Sequence, residues 1–326
     1  MKSMGAMARW LAMALLSLAA QLAGAQANYP SKPIQFILPY AAGGVSNALM
    51  HLLGQQMTEH WGQPVVILNK PGANSALGTE FVARAPADGY TIMMTTTGHV
   101  MLQNTMKDLS WDAIRDFEPV ATVALSQYTL VVNPKLHVNT LQEFVALSKS
   151  RPGGLTFGSG GSGGPSHLAG EQFIARTGAH LRHVPYSNKG GAAVITDLVG
   201  GQIDAYFSPP SIVQFVNSGR LKALAVSGST RAPALPEVPT FAEAGLPNFD
   251  VTVWFGVLAP AGTPKPIVQK LAAEFNRIVS MPEMKEKIIA LEMQPFFTPP
   301  ERFGATMRDD KARFAKLIKD AGLKFD

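Results

Sequence analysis

The chain has 326 residues, of which 46% are hydrophobic and 16% charged, with no cysteine and a formal charge of +5 at pH 7. Without cysteine there is neither a disulfide framework nor a thiolate metal site, so the fold must be held by burial, and the length is enough for two domains. Setting aside Lys2 and Arg9 leaves +3, and no basic run or basic-aromatic stripe follows, which argues against a nucleic-acid partner.

Lys2 and Arg9 stand before an apolar run from Trp10 to Leu22, which ends in small residues, Ala23-Gly24-Ala25 or Ala25-Gln26-Ala27. This reads as a cleaved secretory signal over residues 1–27. The run falls short of the roughly 20 residues a membrane span needs. No later stretch reaches that length without charges or prolines, so a soluble mature chain outside the cytoplasm is expected.

Short β-rich runs then alternate with helical patterns: "IQFILPY" at 34–40, a helix near 47–61, "PVVILNK" at 64–70 and "YTIMMTTT" at 90–97. Alternation of this kind predicts βαβ units and a parallel sheet. Leu49, Leu52, Leu53 and Met57 recur at helical spacing and form one buried stripe. The pattern resumes with "YTLVVN" at 128–133, a helix near 140–149, "LTFGS" at 155–159, a helix from Pro165 and "HLRHVPY" at 180–186. "LKALAVS" at 221–227 precedes a connection through Pro233, Pro236 and Pro239, and "VTVWFGVLAP" at 251–260 reads as a crossing back to the first unit. The helical remainder, with Ile267, Leu271 and Phe275 on one face and Phe314, Leu317 and Ile318 on another, would close that unit.

Two segments share a design of β run, glycine-serine turn and helix start: "LPYAAGGVSNA" at 38–48 and "FGSGGSGGPSHLAGE" at 157–171. Open backbone N–H groups and a helix dipole make each an anion site, whereas the plainer reading is a tight turn that packs helix on sheet. Gly158, Gly160 and Gly163 spell the dinucleotide pattern, but the acid wanted about 20 residues later is replaced by Tyr186, Ser187 and Asn188. Gly160-Gly161-Ser162-Gly163-Gly164 spells a nucleophile elbow, yet Asp197 and Asp204 follow the last nearby histidine, so a hydrolase using Ser162 would need another chain order. His180 and His183 lie three apart in a strand and point to opposite faces, which argues against a metal site. His51, His60, His99 and His137 read as surface or half-buried residues.

Longer motifs are distinctive: "YPSKPIQFILPYAAGG" at 29–44, "GQPVVILNKPGA" at 62–73, "ADGYT" at 87–91, "DFEPV" at 116–120 and "HLAGEQF" at 167–173. "HVPY" at 183–186, "LVGGQID" at 198–204, "LPEVPTFAEAGLP" at 235–247 and "WFGVLAPAGTP" at 254–264 continue the series. In these the chain resembles the Bug family of extracytoplasmic solute receptors, the TctC-like binding proteins of tripartite tricarboxylate transporters. The resemblance implies an α/β, two-lobed periplasmic-binding-protein fold of the Venus-flytrap, type II-like kind, with a ligand cleft between lobes. Residues 28–123 plus 253–326 would form one lobe and 124–252 the other, with hinges near 123–125 and 252–255.

The family's function implies periplasmic capture of a small carboxylate and its delivery to the transporter's membrane components. No catalysis, cofactor or metal is expected, and a monomer is expected. Carried over by position, the first lobe would offer Tyr40, Gly43, Gly44, Ser46, Asn47, Thr96 and Thr97. The second would offer Ser159, Ser162, Gly163, Ser166 and His167, with Tyr186 and Ser208 as side walls. Tyr40 could equally be a packing aromatic and His167 a helix cap. Two departures stand out. Asn47 replaces the family's usual aspartate, which points away from amino-acid ligands towards unsubstituted or hydroxylated carboxylates. The stretch from Tyr186 to Asp197 is about two residues longer than the family pattern, which leaves the wall at Tyr186 open. Competing readings are a sensor that presents the same ligand to a signalling partner and an exported serine hydrolase.

Overall fold

A computed structural model describes residues 29–322 apart from 107, 187–189, 250 and 321. The expected export signal lies outside the described residues. The chain opens with β1 (Ile34–Leu38), α1 (Val45–Trp61), β2 (Val65–Asn69), α2 (Ala76–Ala83), β3 (Thr91–Thr96), α3 (Gly98–Thr105) and β4 (Phe117–Ser126). Helix α1 starts two residues before the expected position because Gly44, with extended backbone, serves as its N-cap. It stops at Gly62, whose φ of 65° lets its N–H turn back to the Thr58 carbonyl. Leu49, Leu53 and Met57 are fully buried, as the helical spacing requires.

A second series follows: β5 (Thr129–Val132), α4 (Leu141–Ser150), β6 (Leu155–Ser159), α5 (Pro165–Thr177), β7 (Leu181–Pro185), α6 (Gly190–Gly200), β8 (Ala205–Ser208), α7 (Val213–Asn217) and β9 (Lys222–Val226). The chain then supplies β10 (Val253–Pro260), α8 (Lys265–Ser280), α9 (Pro282–Ala290), β11 (Gln294–Thr298) and α10 (Pro300–Asp320). Two mixed sheets result, in the orders β11-β4-β10-β3-β1-β2 and β7-β6-β8-β5-β9. Within them β2, β1 and β3 run parallel, as do β7, β6 and β8, while β10 lies antiparallel between β3 and β4. This is a two-lobed α/β fold.

The chain passes between sheets at 127–128 and again between β9 and β10. The two crossings are tied together. Gln127 Nε2 donates to the carbonyls of Ser227 (2.7 Å) and Thr230 (2.6 Å), and the Tyr128 N–H donates to Ser227 Oγ (2.8 Å).

Aromatic packing fills each lobe. In the second, Phe173 lies 5.5 Å from Phe207, and Phe241 lies 4.4 Å from Phe249, between ring centroids. In the first, Phe303 of α10 sits against Trp254 (5.0 Å) and covers Gly256 of β10. His99 departs from the surface or half-buried position expected of it. It is fully buried, stacked on Trp111 with its Nε2 3.0 Å from the Ala113 carbonyl, because the imidazole fills an aromatic layer that an apolar ring would otherwise occupy.

A Cβ on Gly256 would stand 2.2 Å from the Phe303 ring. Gly256→Ala is therefore expected to destabilise the protein by about 1–3 kcal/mol. Thermal unfolding checks this: the midpoint should fall, and Phe303→Leu in the same chain should recover part of the loss.

Candidate functional site

A cavity of about 530 Å³ lies where the carboxyl ends of β1, β3, β6 and β8 face one another, with Tyr128 of the first crossing in its wall. Clefts beyond the carboxyl ends of parallel strands are the usual ligand position in α/β sheets, because helix N-termini and their unpaired N–H groups collect there. A wider groove of about 850 Å³ marks the outside of the first lobe, but ion pairs Lys32–Asp88 and Arg84–Glu80 already engage its charged groups.

Six residues singled out from sequence line the cavity: Tyr40, Thr96, Ser159, Ser162, Gly163 and Ser166. Tyr40 holds the end of β1 to the end of β3, its hydroxyl 3.0 Å from Thr96 Oγ1 and 3.3 Å from Thr95 Oγ1. Ser166 lines the cavity beside Tyr128 and Tyr206. Burial pushes both phenols up, so they remain neutral hydrogen-bonding groups. Among the described lining residues none is charged.

The remaining expected residues stand behind or beside the cavity. Gly43 and Gly44 form the exposed turn before α1, and Ser46 lies in its first turn. Asn47 Oδ1 accepts from Asn69 Nδ2 (3.0 Å), and that same amide reaches the Tyr40 carbonyl (3.0 Å), so Asn47 braces the β1 loop. Thr97 is buried and accepts the Trp254 N–H at 3.1 Å. The Tyr186 hydroxyl donates to Asp197 Oδ2 at 2.6 Å, and partial burial together with that carboxylate pushes the phenol up to about 12. Ser208 is fully buried and donates to the Pro209 carbonyl. Residues 187–189, beyond Tyr186, lie outside the described residues.

Helix α5 aims its N-terminus at the cavity. Its N-cap, Gly164, lines the cavity and offers no side-chain cap to the first turn. Behind the loop, His167 Nδ1 accepts the Gly163 N–H (3.0 Å), which assigns the ring proton to Nε2, 3.4 Å from Glu171 Oε1. His167 thus braces the glycine loop. Its ring stacks on His183 at 3.8 Å, and His183 Nε2 lies 2.7 Å from Ser159 Oγ. The serine set against an imidazole is therefore Ser159, which is buried, while Ser162, the candidate nucleophile, is exposed on the loop.

Sequence reasoning missed Tyr128, Tyr206, Asn74, Ser75, Met101 and Leu102, all of which line the cavity, and the bracing role of His183. A polar Asn-Ser pair one residue after Pro71-Gly72 was the one local signal available for the first lobe. The tyrosines had none.

Desolvation, and after it repulsion from His167, lowers His183 to about 4, and desolvation lowers buried His99 to about 4. Between pH 6.5 and 4 the unfolded chain therefore binds more protons at these sites than the folded one. Their contribution to stability should be complete above about pH 6.5 and lost as pH falls to about 4. Urea midpoints measured across that window check this; a midpoint that rises on acidification would contradict it.

The chain matches the family described as tripartite tricarboxylate transporter family receptor over residues 49–323. Among curated relatives it is 33% identical to protein BugT of Bordetella pertussis over 300 residues, 91% of each chain. A UPF0065 protein from the tcbD-tcbE intergenic region of Pseudomonas sp. (strain P51) is 36% identical over 292 residues, 89% of this chain and 86% of that one. Among solved structures, periplasmic binding protein BugD superposes with a TM-score of 0.77 at 32% identity, covering 91% of this chain and all of that one. MatC of Rhodopseudomonas palustris, solved with bound malate, gives 0.74 at 28% identity over 89% of this chain and 100% of its own. A protein of R. palustris solved with adipate gives 0.80 at 30% identity over 91% and 100%. With the family matched across most of its length and relatives of this kind along the whole described fold, this chain belongs to the Bug, or TctC-like, family of periplasmic solute-binding receptors.

Proposed function

We propose that this protein is exported to the periplasm, captures a small carboxylate by closing its two lobes, and hands it to the membrane components of a tripartite tricarboxylate-type transporter. The observation that carries this reading is the uncapped N-terminus of α5 at Gly164, opening into an uncharged cavity lined from both sheets. A carboxylate there would face first-turn N–H groups at the positive end of the helix dipole, a field worth about 0.3–1 kcal/mol. Hydrogen bonds to a charged acceptor add about 1.5–3 kcal/mol each, and Ser162, Ser166 and Tyr40 supply further hydroxyls. No arginine is needed.

The relatives support the ligand class, since one was solved with malate and another with adipate. An ammonium group on the ligand would meet no carboxylate among the described lining residues, which favours acids without an amino group. In this reading Gly43, Gly44, Ser46, Asn47, Thr97, His167, Tyr186 and Ser208 shape the loops and walls around the contact residues. The lobes part at 127–128 and in the connection between β9 and β10, and the chain acts as a monomer without a covalent step at Ser162.

Thermal unfolding of refolded protein against mono-, di-, tri- and aromatic carboxylates and amino acids tests the reading. A ligand at one hundred times its Kd adds about 2.7 kcal/mol of apparent stability. Gly164→Asp is the matching variant: the N-cap has ordinary extended backbone with room for a Cβ, and aspartate suits an N-cap, so the fold should keep or gain stability. Its carboxylate would occupy the anion position, and carboxylate binding should weaken at least tenfold. A variant that binds as tightly as the parent would place the ligand elsewhere.

A further inference from the structure

The segment after β2 carries a backbone that its residues do not favour. Following Gly72 (φ 135°), three non-glycine residues in succession have left-handed φ: Ala73 at 45°, Asn74 at 52° and Ser75 at 79°. Side chains with a Cβ resist that region, so the arrangement persists only where the surroundings impose it. The clamp is visible at Gly78, where a Cβ would stand 2.4 Å from the Lys70 carbonyl and 2.9 Å from Pro39, so that the segment is pressed against the end of β1.

The effect is to turn Asn74 and Ser75 to the cavity, on a wall shared with Met101, Leu102 and Thr105. Ser75 is only 6% exposed overall, yet its hydroxyl is not among the buried atoms, and it lines the cavity without a hydrogen bond to a described residue. A hydroxyl on a cavity wall that no protein group engages is left to hydrogen-bond whatever occupies the cavity, and burial by an occupant would then require a partner for it. Thr105, by contrast, spends its hydroxyl on the Met101 carbonyl (3.3 Å) and offers less to a ligand.

We infer that Ser75, with Asn74 beside it, is a specificity-determining contact for a second oxygen function on the ligand, an uncharged hydroxyl or keto group borne by the carboxylic acid whose carboxylate α5 receives. The inference rests on the carboxylate reading above and adds the other pole of the ligand. The charge of the group follows from the wall. Serine hydroxyl and asparagine amide each donate and accept, which suits a hydroxyl or a carbonyl. The neighbours Pro71, Gly72, Met101 and Leu102 provide no cation to offset the desolvation of a second carboxylate. Met101 and Leu102 line the same cavity and would offer apolar surface to the ligand's carbon chain. The preferred class is thus hydroxy- or oxo-monocarboxylic acids over their unsubstituted and dicarboxylic counterparts of equal length.

The test compares Kd by calorimetry for matched sets of acids of the same chain length, from C4 to C8: unsubstituted, hydroxy, oxo and dicarboxylic. In the parent protein at least one hydroxy or oxo acid should bind three- to tenfold tighter than its unsubstituted match. Ser75→Ala should erase that ratio while leaving the unsubstituted acid within twofold of its parent Kd. Ser75→Gly, which removes the hydroxyl and suits φ 79°, guards against a folding defect and should behave the same way. If acids bind and Gly164→Asp abolishes them but the ratio is absent or survives both Ser75 variants, this inference falls and the carboxylate reading stands. A dicarboxylate that binds tightest also overturns it. If no acid binds at all, both fall together.

Discussion

The placement of β10 is the constraint on which the rest of the molecule depends. It enters the middle of the first sheet more than a hundred residues after that sheet's other central strands, between β3 and β4, and all eight of its residues are buried. Its hydrogen bonds to both neighbours and its burial on both faces depend on the chain returning from the second lobe. The first lobe is consequently completed from two distant pieces of sequence, and the crossings between lobes lie side by side. The same strand reaches the cavity rim indirectly, because the Trp254 N–H takes the Thr97 hydroxyl and fixes the turn that begins α3.

Around the cavity the chemistry depends on backbone more than on charge. The glycine loop after β6 is shaped by side chains that do not line the cavity: His167 holds the Gly163 N–H, and His183 stands against Ser159. The desolvation that depresses His183 keeps it neutral at ordinary pH. Across the cavity, the polar groups among the described lining residues are tyrosines, hydroxyls and an amide, with no charged side chain. A pocket of this kind can be retuned by small polar exchanges on its walls without rebuilding a charge network.

The alternation of strands and helices was legible because each period buries one face, and every β run read from 34 to 97 and from 128 to 227 is a strand within one or two residues of its bounds. Strand β4 was not legible as a strand. Its sequence, "FEPVATVALS", lacks alternation because the strand is covered on both faces, and Pro119 and the alanines gave no reason to choose strand over coil until β10 and β11 stand beside it. The glycine loops pointed to the cavity through their residue types. Tyr128, Tyr206 and Ser75 did not, since they meet only when the two lobes face each other, and nothing local in "YTLVVN" or "DAYFS" distinguishes a cavity tyrosine from a core one. Asn47 and Thr97 were in the right turns, but the backbone and amide groups nearest to them claimed their side chains first.

The tie between the crossings has a mechanical meaning. Because the Gln127 amide grips two carbonyls of the returning segment, neither strand of the connection can bend without straining the other. In the proposed closure, the lobes would turn about that tie, as a door turns on its pins. If the ligand binds at α5 as proposed, the angle between the lobes is the quantity that binding would set, and the outer surface would carry that angle to a partner.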